Sequence, residues 1–319
     1  MREKRGKMKS GRIMILLISA SLVLCPFAVF PGGGDKAESA GKPADDEKSI
    51  SVMLSEKKEI KKTEMREYLI GCVAAEMSPL CHSEALKAQA AASRSYAMYV
   101  TENGEKEISD DPGLHQGYIS EKERKEKWKE NYEKYEKKIG DAVDAVDGYE
   151  ITFNGKTAMT VYHSVSAGRT QSAKNAWGED YPYLRSVNSP GDVLSPERVS
   201  KHIFSSAEYV DILEKNGIPK SDDPKENVGK TTMNTDGYVS GIEINGISIP
   251  GCEFRNLFGL ESTCFEIEYS GKEYIITCTG NGHGAGMSQY GADYMARQGS
   301  TWQEIITHYY SGVEIKKSE

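Results

Sequence analysis

The 319-residue chain has no internal repeat, no His-Glu-x-x-His pair and no paired Cys-x-x-Cys. The first absence excludes a solenoid or propeller, and the others remove the commonest zinc signatures. Its richest glycine run, Gly280 to Gly291, lacks a Gly-Lys-Ser/Thr ending and dinucleotide spacing, so no nucleotide is expected there. No cofactor and no metal are predicted. Cys72, Cys81, His82 and His115 could converge only by folding, which their spacing does not indicate. Positive charge is also scarce beyond the N-terminus. Six basic residues (Arg2, Lys4, Arg5, Lys7, Lys9 and Arg12) face one acid in the first thirty. The whole chain carries −8, so the remainder carries −13. A domain that acidic is poorly suited to nucleic acid or another dense polyanion, and a neutral or mixed-charge polymer fits it better.

The one long uncharged run, Ile13 to Phe30, has 18 residues and approaches a bilayer crossing. The basic flank before it would stay cytoplasmic and the rest would be exported. A cleaved signal peptide is the alternative. No small-x-small site closes the run, so residues 1–30 are read as an uncleaved anchor. Leu24 is too large for a lipoprotein signal before Cys25. Residues 31–59, beginning Pro31-Gly32-Gly33-Gly34, read as a flexible linker with nothing to bury. The folded domain is expected over 60–319. Its cysteines lie in exported chain, where disulfides are permitted. Cys72 with Cys81 and Cys252 with Cys264 are the expected local pairs, with buried thiols as the alternative.

Within that domain, Ser83 to Val100 gives the clearest helical pattern, with Leu86, Ala90, Ser93, Ala97 and Val100 on one face. Its alanines favour helix and let a neighbour approach closely. Trp128, Tyr132, Tyr135, Ile139 and Val143 recur at three and four within a Lys- and Glu-rich stretch, predicting a surface helix over 120–146. Alternation from Ile151 to Val165 around Asn154-Gly155 predicts a hairpin. Further strand sets are expected over 237–249 and 264–279, and helices over 288–297 and 301–310. Thr301 and Glu304 form the pattern of a capping box. The fold class is therefore α+β, with mixed, mostly antiparallel strands and a long Ala-rich helix.

Three constellations carry chemistry. Glu76 closes the apolar run Tyr68-Leu69-Ile70-Gly71-Cys72-Val73-Ala74-Ala75. A carboxyl held among such groups keeps its proton to higher pH, as a general acid for glycoside cleavage requires. Glu84, at the start of the long helix, reads as structural. The second constellation is Tyr162-His163-Ser164-Val165-Ser166-Ala167-Gly168-Arg169-Thr170, a loop of small polar groups, with Trp177, Tyr181 and Tyr183 soon after. Those aromatics can floor a sugar groove or simply pack. The third is Gly280-Asn281-Gly282-His283-Gly284-Ala285-Gly286-Met287-Ser288-Gln289-Tyr290-Gly291, whose glycines let backbone come close to a ligand.

Taken in order, five segments resemble the landmarks of the stage II sporulation protein D family. They are Gly71–Met77, Glu84–Tyr96, His163–Thr170, the glycine-histidine run through Ala292, and His308-Tyr309-Tyr310-Ser311-Gly312. The resemblance covers roughly residues 62–313. It implies a lytic transglycosylase that cuts the MurNAc–GlcNAc bond of stem-peptide-free peptidoglycan during spore engulfment, leaving 1,6-anhydro ends. It implies Glu76 as the catalytic residue. His163, Ser164, Ser166, Arg169, Tyr181, Tyr183, His283, Met287 and Gln289 are the expected substrate-binding set. It further implies a single-pass protein of the mother-cell membrane facing the forespore, with its catalytic domain outside the cytoplasm. Peptidoglycan strands, an amidase and a membrane protein of the engulfment machinery are the implied partners. Some relatives bind zinc beyond the long helix, but the matching stretch here, Asp110 to Gln116, has no cysteine. Ordinary hydrolysis with Asp180 or Asp192 as second carboxylate, and a non-catalytic scaffold that activates an amidase, are the alternatives.

Overall fold

The computed structural model describes residues 49–317. The expected anchor and most of the expected linker lie outside them. Among the described residues no helix is long and apolar enough to cross a membrane. The described chain opens with the antiparallel hairpin β1 (Ser49–Leu54) and β2 (Glu59–Glu64). This corrects the expected start at residue 60. Ile50 and Val52 alternate inward and are buried, so the end of the predicted linker is a strand of the folded domain.

Helix α1 (Met65–Glu76) follows β2 directly, and α2 (Ser83–Val100) follows after one turn. α2 runs through the centre of the main core, against α1. Ala85, Ala88, Ala90, Ala91, Ala92 and Ala97 are all buried on it. Small side chains on every face explain how one helix accommodates so many neighbours. Glu84 is structural as expected: its carboxylate accepts from the Trp302 amide at 2.9 Å. Strand β3 (Ile108–Ser109) joins β1 in parallel. The predicted surface helix is two helices, α3 (Glu121–Trp128) and α4 (Tyr132–Ala145), joined by a tight turn at 129–131. Trp128 stacks edge-on against Tyr135, so these aromatics serve packing.

Strands β4 (Tyr149–Phe153) and β5 (Lys156–Thr157) form the predicted hairpin, but it ends early. The chain then crosses to β6 (Tyr162–His163), which has no antiparallel partner in the hairpin. After α5 (Ala173–Trp177), a second, smaller core begins. It comprises β7 (Val199–Ser205), α6 (Ser206–Lys215), β8 (Lys230–Met233), β9 (Val239–Ile244), β10 (Ile247–Pro250), α7 (Gly251–Phe258), β11 (Phe265–Tyr269) and β12 (Glu273–Thr279). The strands form two antiparallel sheets, in the orders β10-β9-β8 and β11-β12-β7. Tyr209, Phe254, Phe258 and Tyr274 fill the space between them.

The chain returns to the main core through β13 (Met287–Ser288), α8 (Gln289–Arg297), α9 (Trp302–Tyr309) and β14 (Glu314–Lys317). The Thr301–Glu304 capping box forms on α9. α2 packs against α1, α4, α8 and α9. The architecture is α+β with mostly antiparallel pairing, and the parallel pairs are β1–β3 and β6–β13.

Neither expected disulfide forms: Cys72, Cys81, Cys264 and Cys278 are thiols. Cys72 is fully buried inside α1 against Tyr68, whereas Cys81 lies beyond the helix end near Asp293 and Arg297. Closeness in sequence does not aim the two sulfurs at each other.

Candidate functional site

The β6–β13 pair brings the second and third constellations together. Met287 stands opposite Tyr162 and Ser288 opposite His163. The loops are joined further by paired backbone hydrogen bonds between Val165 and Asn281, at 3.1 and 2.7 Å. The Gln171 side chain donates to the His283 carbonyl at 2.7 Å. Gly286 is required for this closure. Its φ is +69°, and a Cβ there would fall on the Val161 carbonyl.

Glu76 is the last residue of α1 and lies beside this junction. The residue is half-buried, and protein surrounds its carboxyl. Oε1 accepts from the Gly117 amide at 2.7 Å. A Cβ at residue 117 would stand 3.0 Å from that same oxygen, so glycine leaves room for the amide to approach. The Gln289 side chain, at the start of α8, also hydrogen-bonds the carboxylate. Lys127 on α3 donates to the Ala74 carbonyl at 2.9 Å and acts electrostatically on Glu76. Burial raises the Glu76 pKa above the ordinary carboxylate value. The Gly117 amide, Gln289 and the Lys127 ammonium offset part of that effect, and the net direction is upward. The side chain therefore holds its proton to higher pH than a surface glutamate.

Behind Glu76 lies a connected polar floor. Tyr162 donates to Gln116 Oε1 at 2.7 Å and accepts from Ser93 at 3.4 Å. Gln116 Nε2 donates to the Tyr68 hydroxyl at 2.9 Å and to the Ser93 carbonyl at 3.2 Å. Gln289 Nε2 reaches Gln89 Oε1 at 3.3 Å, and Gln89 donates on to Ser93 at 3.1 Å. The network ties α1, α2, β6, α8 and the strip before α3 to one another around the acid.

The histidines lie in a different cluster. His163 Nδ1 donates to the Ala285 carbonyl at 3.1 Å, while the Ala285 amide donates to His283 Nδ1 at 3.2 Å. The two neutral rings thus carry their protons on opposite nitrogens. Burial holds both pKa values below the ordinary range. The Trp177 ring meets His283 edge-on at 5.6 Å. Asp192 is completely buried and bonded by Ser166 and by Ser288.

Several expected binding residues therefore take other roles. Met287, Ser166 and Tyr183 are buried; the Tyr183 hydroxyl accepts from the Met159 amide at 2.8 Å. They support the loops instead of lining an open groove. His163 is enclosed as well. Ser164 fixes the start of α8 by accepting from the Tyr290 amide at 3.0 Å. Arg169 is exposed and bonded to Ser186 and Asn188 at 2.7 and 3.1 Å. Tyr181 is half-buried between Tyr99 and Tyr183, with its hydroxyl on Glu179. Of the predicted binding residues, Gln289 is the one that hydrogen-bonds Glu76. Gly117, Gln116, Gln89, Tyr162 and Lys127 complete the acid's surroundings and were not among the predicted set. A separate hollow, lined by Met53, Ser55, Ser109, Leu114 and His115, contains none of these residues.

The stage II sporulation protein family model matches residues 54–153, which include α1, α2 and Gly117. The chain is 34% identical over 325 residues to stage II sporulation protein D of Bacillus subtilis (strain 168), covering 96% of this chain and 93% of that protein. It is 33% identical over 331 residues to the protein of the same name from Bacillus amyloliquefaciens, with coverage of 97% and 95%. It is 26% identical over 299 residues to the amidase enhancer of Bacillus subtilis (strain 168), covering 77% of this chain and 40% of that protein. Identity at this level along nearly the entire length of the first two makes this chain a member of the stage II sporulation protein D family.

Proposed function

We propose that this protein is a lytic transglycosylase that cleaves MurNAc–GlcNAc bonds in stem-peptide-free peptidoglycan during spore engulfment. The observation that carries the reading is the Glu76 carboxyl, enclosed so that its pKa is raised and held in place by Gly117 and Gln289. Glu76 gives its proton to the glycosidic oxygen as the bond to the MurNAc anomeric carbon breaks. Positive character develops at that carbon. The same sugar's C6 hydroxyl attacks it and returns a proton to the Glu76 carboxylate. The product is a 1,6-anhydro end, formed without water and with the acid regenerated. An internal nucleophile needs no second carboxylate to activate water.

The surroundings of the two other candidate carboxylates support this choice over hydrolysis. Asp180 pairs with Arg185 at 3.0 Å, and both Asp192 oxygens are engaged by Ser166 and Ser288. Among the described residues, no carboxylate is among the groups that act on Glu76. The N-terminal charge pattern supports a catalytic domain outside the cytoplasm, on the mother-cell membrane facing the forespore. The proposed partners are glycan strands, a peptidoglycan amidase and a membrane protein of the engulfment machinery.

Similarity to an amidase enhancer favours a second reading, in which the protein binds glycan and activates an amidase without cutting. Zymography on stem-free and intact peptidoglycan, with and without an amidase, separates the two. Clearing of stem-free glycan by the wild type and not by Glu76→Gln supports the transglycosylase. Clearing that requires the amidase and is unaffected by Glu76→Gln supports the enhancer.

A further inference from the structure

Arg124, on α3, has no solvent exposure and two carboxylate partners. Its Nε and Nη2 meet the two oxygens of Glu136 on α4 at 2.9 and 2.8 Å. Nη2 also meets both oxygens of Glu67 on α1, at 3.0 and 3.1 Å. Nη1 is used differently: it donates to the backbone carbonyl of Ile119 at 3.0 Å. A buried guanidinium paired with partly exposed carboxylates is a poor way to gain stability, because desolvation offsets the attraction. What it supplies is direction, since a guanidinium bonds in a fixed plane.

The direction is informative. Ile119 ends the strip 116–119, whose Gly117 amide sits on Glu76. The strip is tied at its start by Gln116 to Tyr68 and Ser93, and near its end by the Ile119 amide to the Gly71 carbonyl at 3.3 Å. Arg124 grips that end from α3 while being locked to α1, which carries Glu76, and to α4. We propose that Arg124 is a positioning residue: through Ile119 it holds the Gly117 amide against the Glu76 carboxylate. Its catalytic consequence rests on the reading of Glu76 as the acid. The groups facing Glu76 are Cys72 from α1, Tyr96 from α2, Lys127 from α3, Tyr162 from β6 and Gln289 from α8. Of these, Lys127 shares α3 with Arg124, so loosening α3 weakens two groups that favour the ionised carboxylate and moves its titration in one direction.

The test follows the Gly117 amide by NMR in the full chain labelled with 15N-glycine, across pH, alongside kcat and KM on stem-free glycan. In the wild type the Gly117 resonance shifts as Glu76 titrates, and Glu76→Gln abolishes that transition. Arg124→Lys keeps the charge and loses the fork. It is expected to move the transition to higher pH and to lower kcat on the order of 10-fold or more with KM unchanged, as for a misplaced catalytic group. Glu136→Gln removes the carboxylate that fixes the guanidinium plane from α4, so Nη1 loses its aim at the Ile119 carbonyl, and it carries the test should Arg124→Lys fail to fold. It shifts both readouts in the same sense. A folded variant of either kind with wild-type Gly117 titration and kcat overturns the proposal. Absence of cleavage by the wild type would refute the transglycosylase while the amide titration still judges the clamp.

Discussion

The backbone amide of Gly117 stands 2.7 Å from Oε1 of Glu76, across 41 residues of sequence. One contact sets both the position of the carboxyl and the pH at which it lets its proton go. Burial acts upward on that pH, and the amide acts downward together with Gln289 and Lys127.

The pH profile of cleavage follows from this balance. A general acid must be protonated, so kcat declines as pH rises through the Glu76 pKa. Lys127→Met and Gln289→Leu each remove a group that lowers that pKa. Each is expected to move the alkaline limb to higher pH, read from kcat measured across pH on stem-free glycan. Limbs that stay in place, or move downward, would contradict the assignment of that limb to Glu76.

Stability carries the same signature with a definite sign. The folded-state pKa of Glu76 lies above its unfolded value of about 4.5. Its contribution is fully present below the unfolded value and is lost as pH rises through the folded one. Glu76→Gln escapes this loss. Melting curves of wild type and variant should converge below about pH 4.5, with the variant the more stable at neutral pH. A variant that is equally or less stable at neutral pH argues that the carboxylate is not desolvated.

Tyr162→Phe probes the polar floor. It removes the donor to Gln116 Oε1, a buried oxygen, and a partner of Ser93. The expected loss is about 1–3 kcal/mol in denaturant unfolding, the cost of leaving a buried acceptor unpaired. An unchanged midpoint would mean that the network is replaced readily by water.

Gly286→Ala tests the junction of the two loops. The substitution places a methyl on the Val161 carbonyl at a backbone angle that alanine rarely adopts. The expected destabilisation is about 3 kcal/mol or more by denaturant unfolding, in the severe range for single substitutions. Gly246→Ala, also at positive φ but with open space around its Cβ, serves as the comparison and should cost less.

Much of this structure was legible in the chain. The alanine spacing gave α2, the Thr301–Glu304 pattern gave the start of α9, and period-two alternation located β9 through β12. Glu76 stood out because its sequence neighbours are apolar, but the groups that meet its carboxyl, Gly117, Gln289 and Lys127, come from elsewhere in the chain. The β6–β13 pairing was not legible, since a two-residue parallel bridge between distant segments leaves no periodic trace. The strip 116–119 was hidden for a related reason. It lies among charged residues, and its importance comes from one backbone amide, which no side chain marks in the sequence. Motif membership also failed to separate residues that can meet a ligand from buried ones such as Met287 and Ser166. Cysteine spacing misled because it says nothing of where the sulfurs point.

The most direct test of the chemistry is mass spectrometry of the fragments released from stem-free glycan in 18O-labelled water. Proton donation by Glu76 followed by internal attack predicts anhydro ends one water lighter than hydrolytic ends and free of 18O, with release falling roughly 10²- to 10⁴-fold in Glu76→Gln. Fragments whose new reducing ends carry 18O, or release that is unchanged by Glu76→Gln, would contradict it.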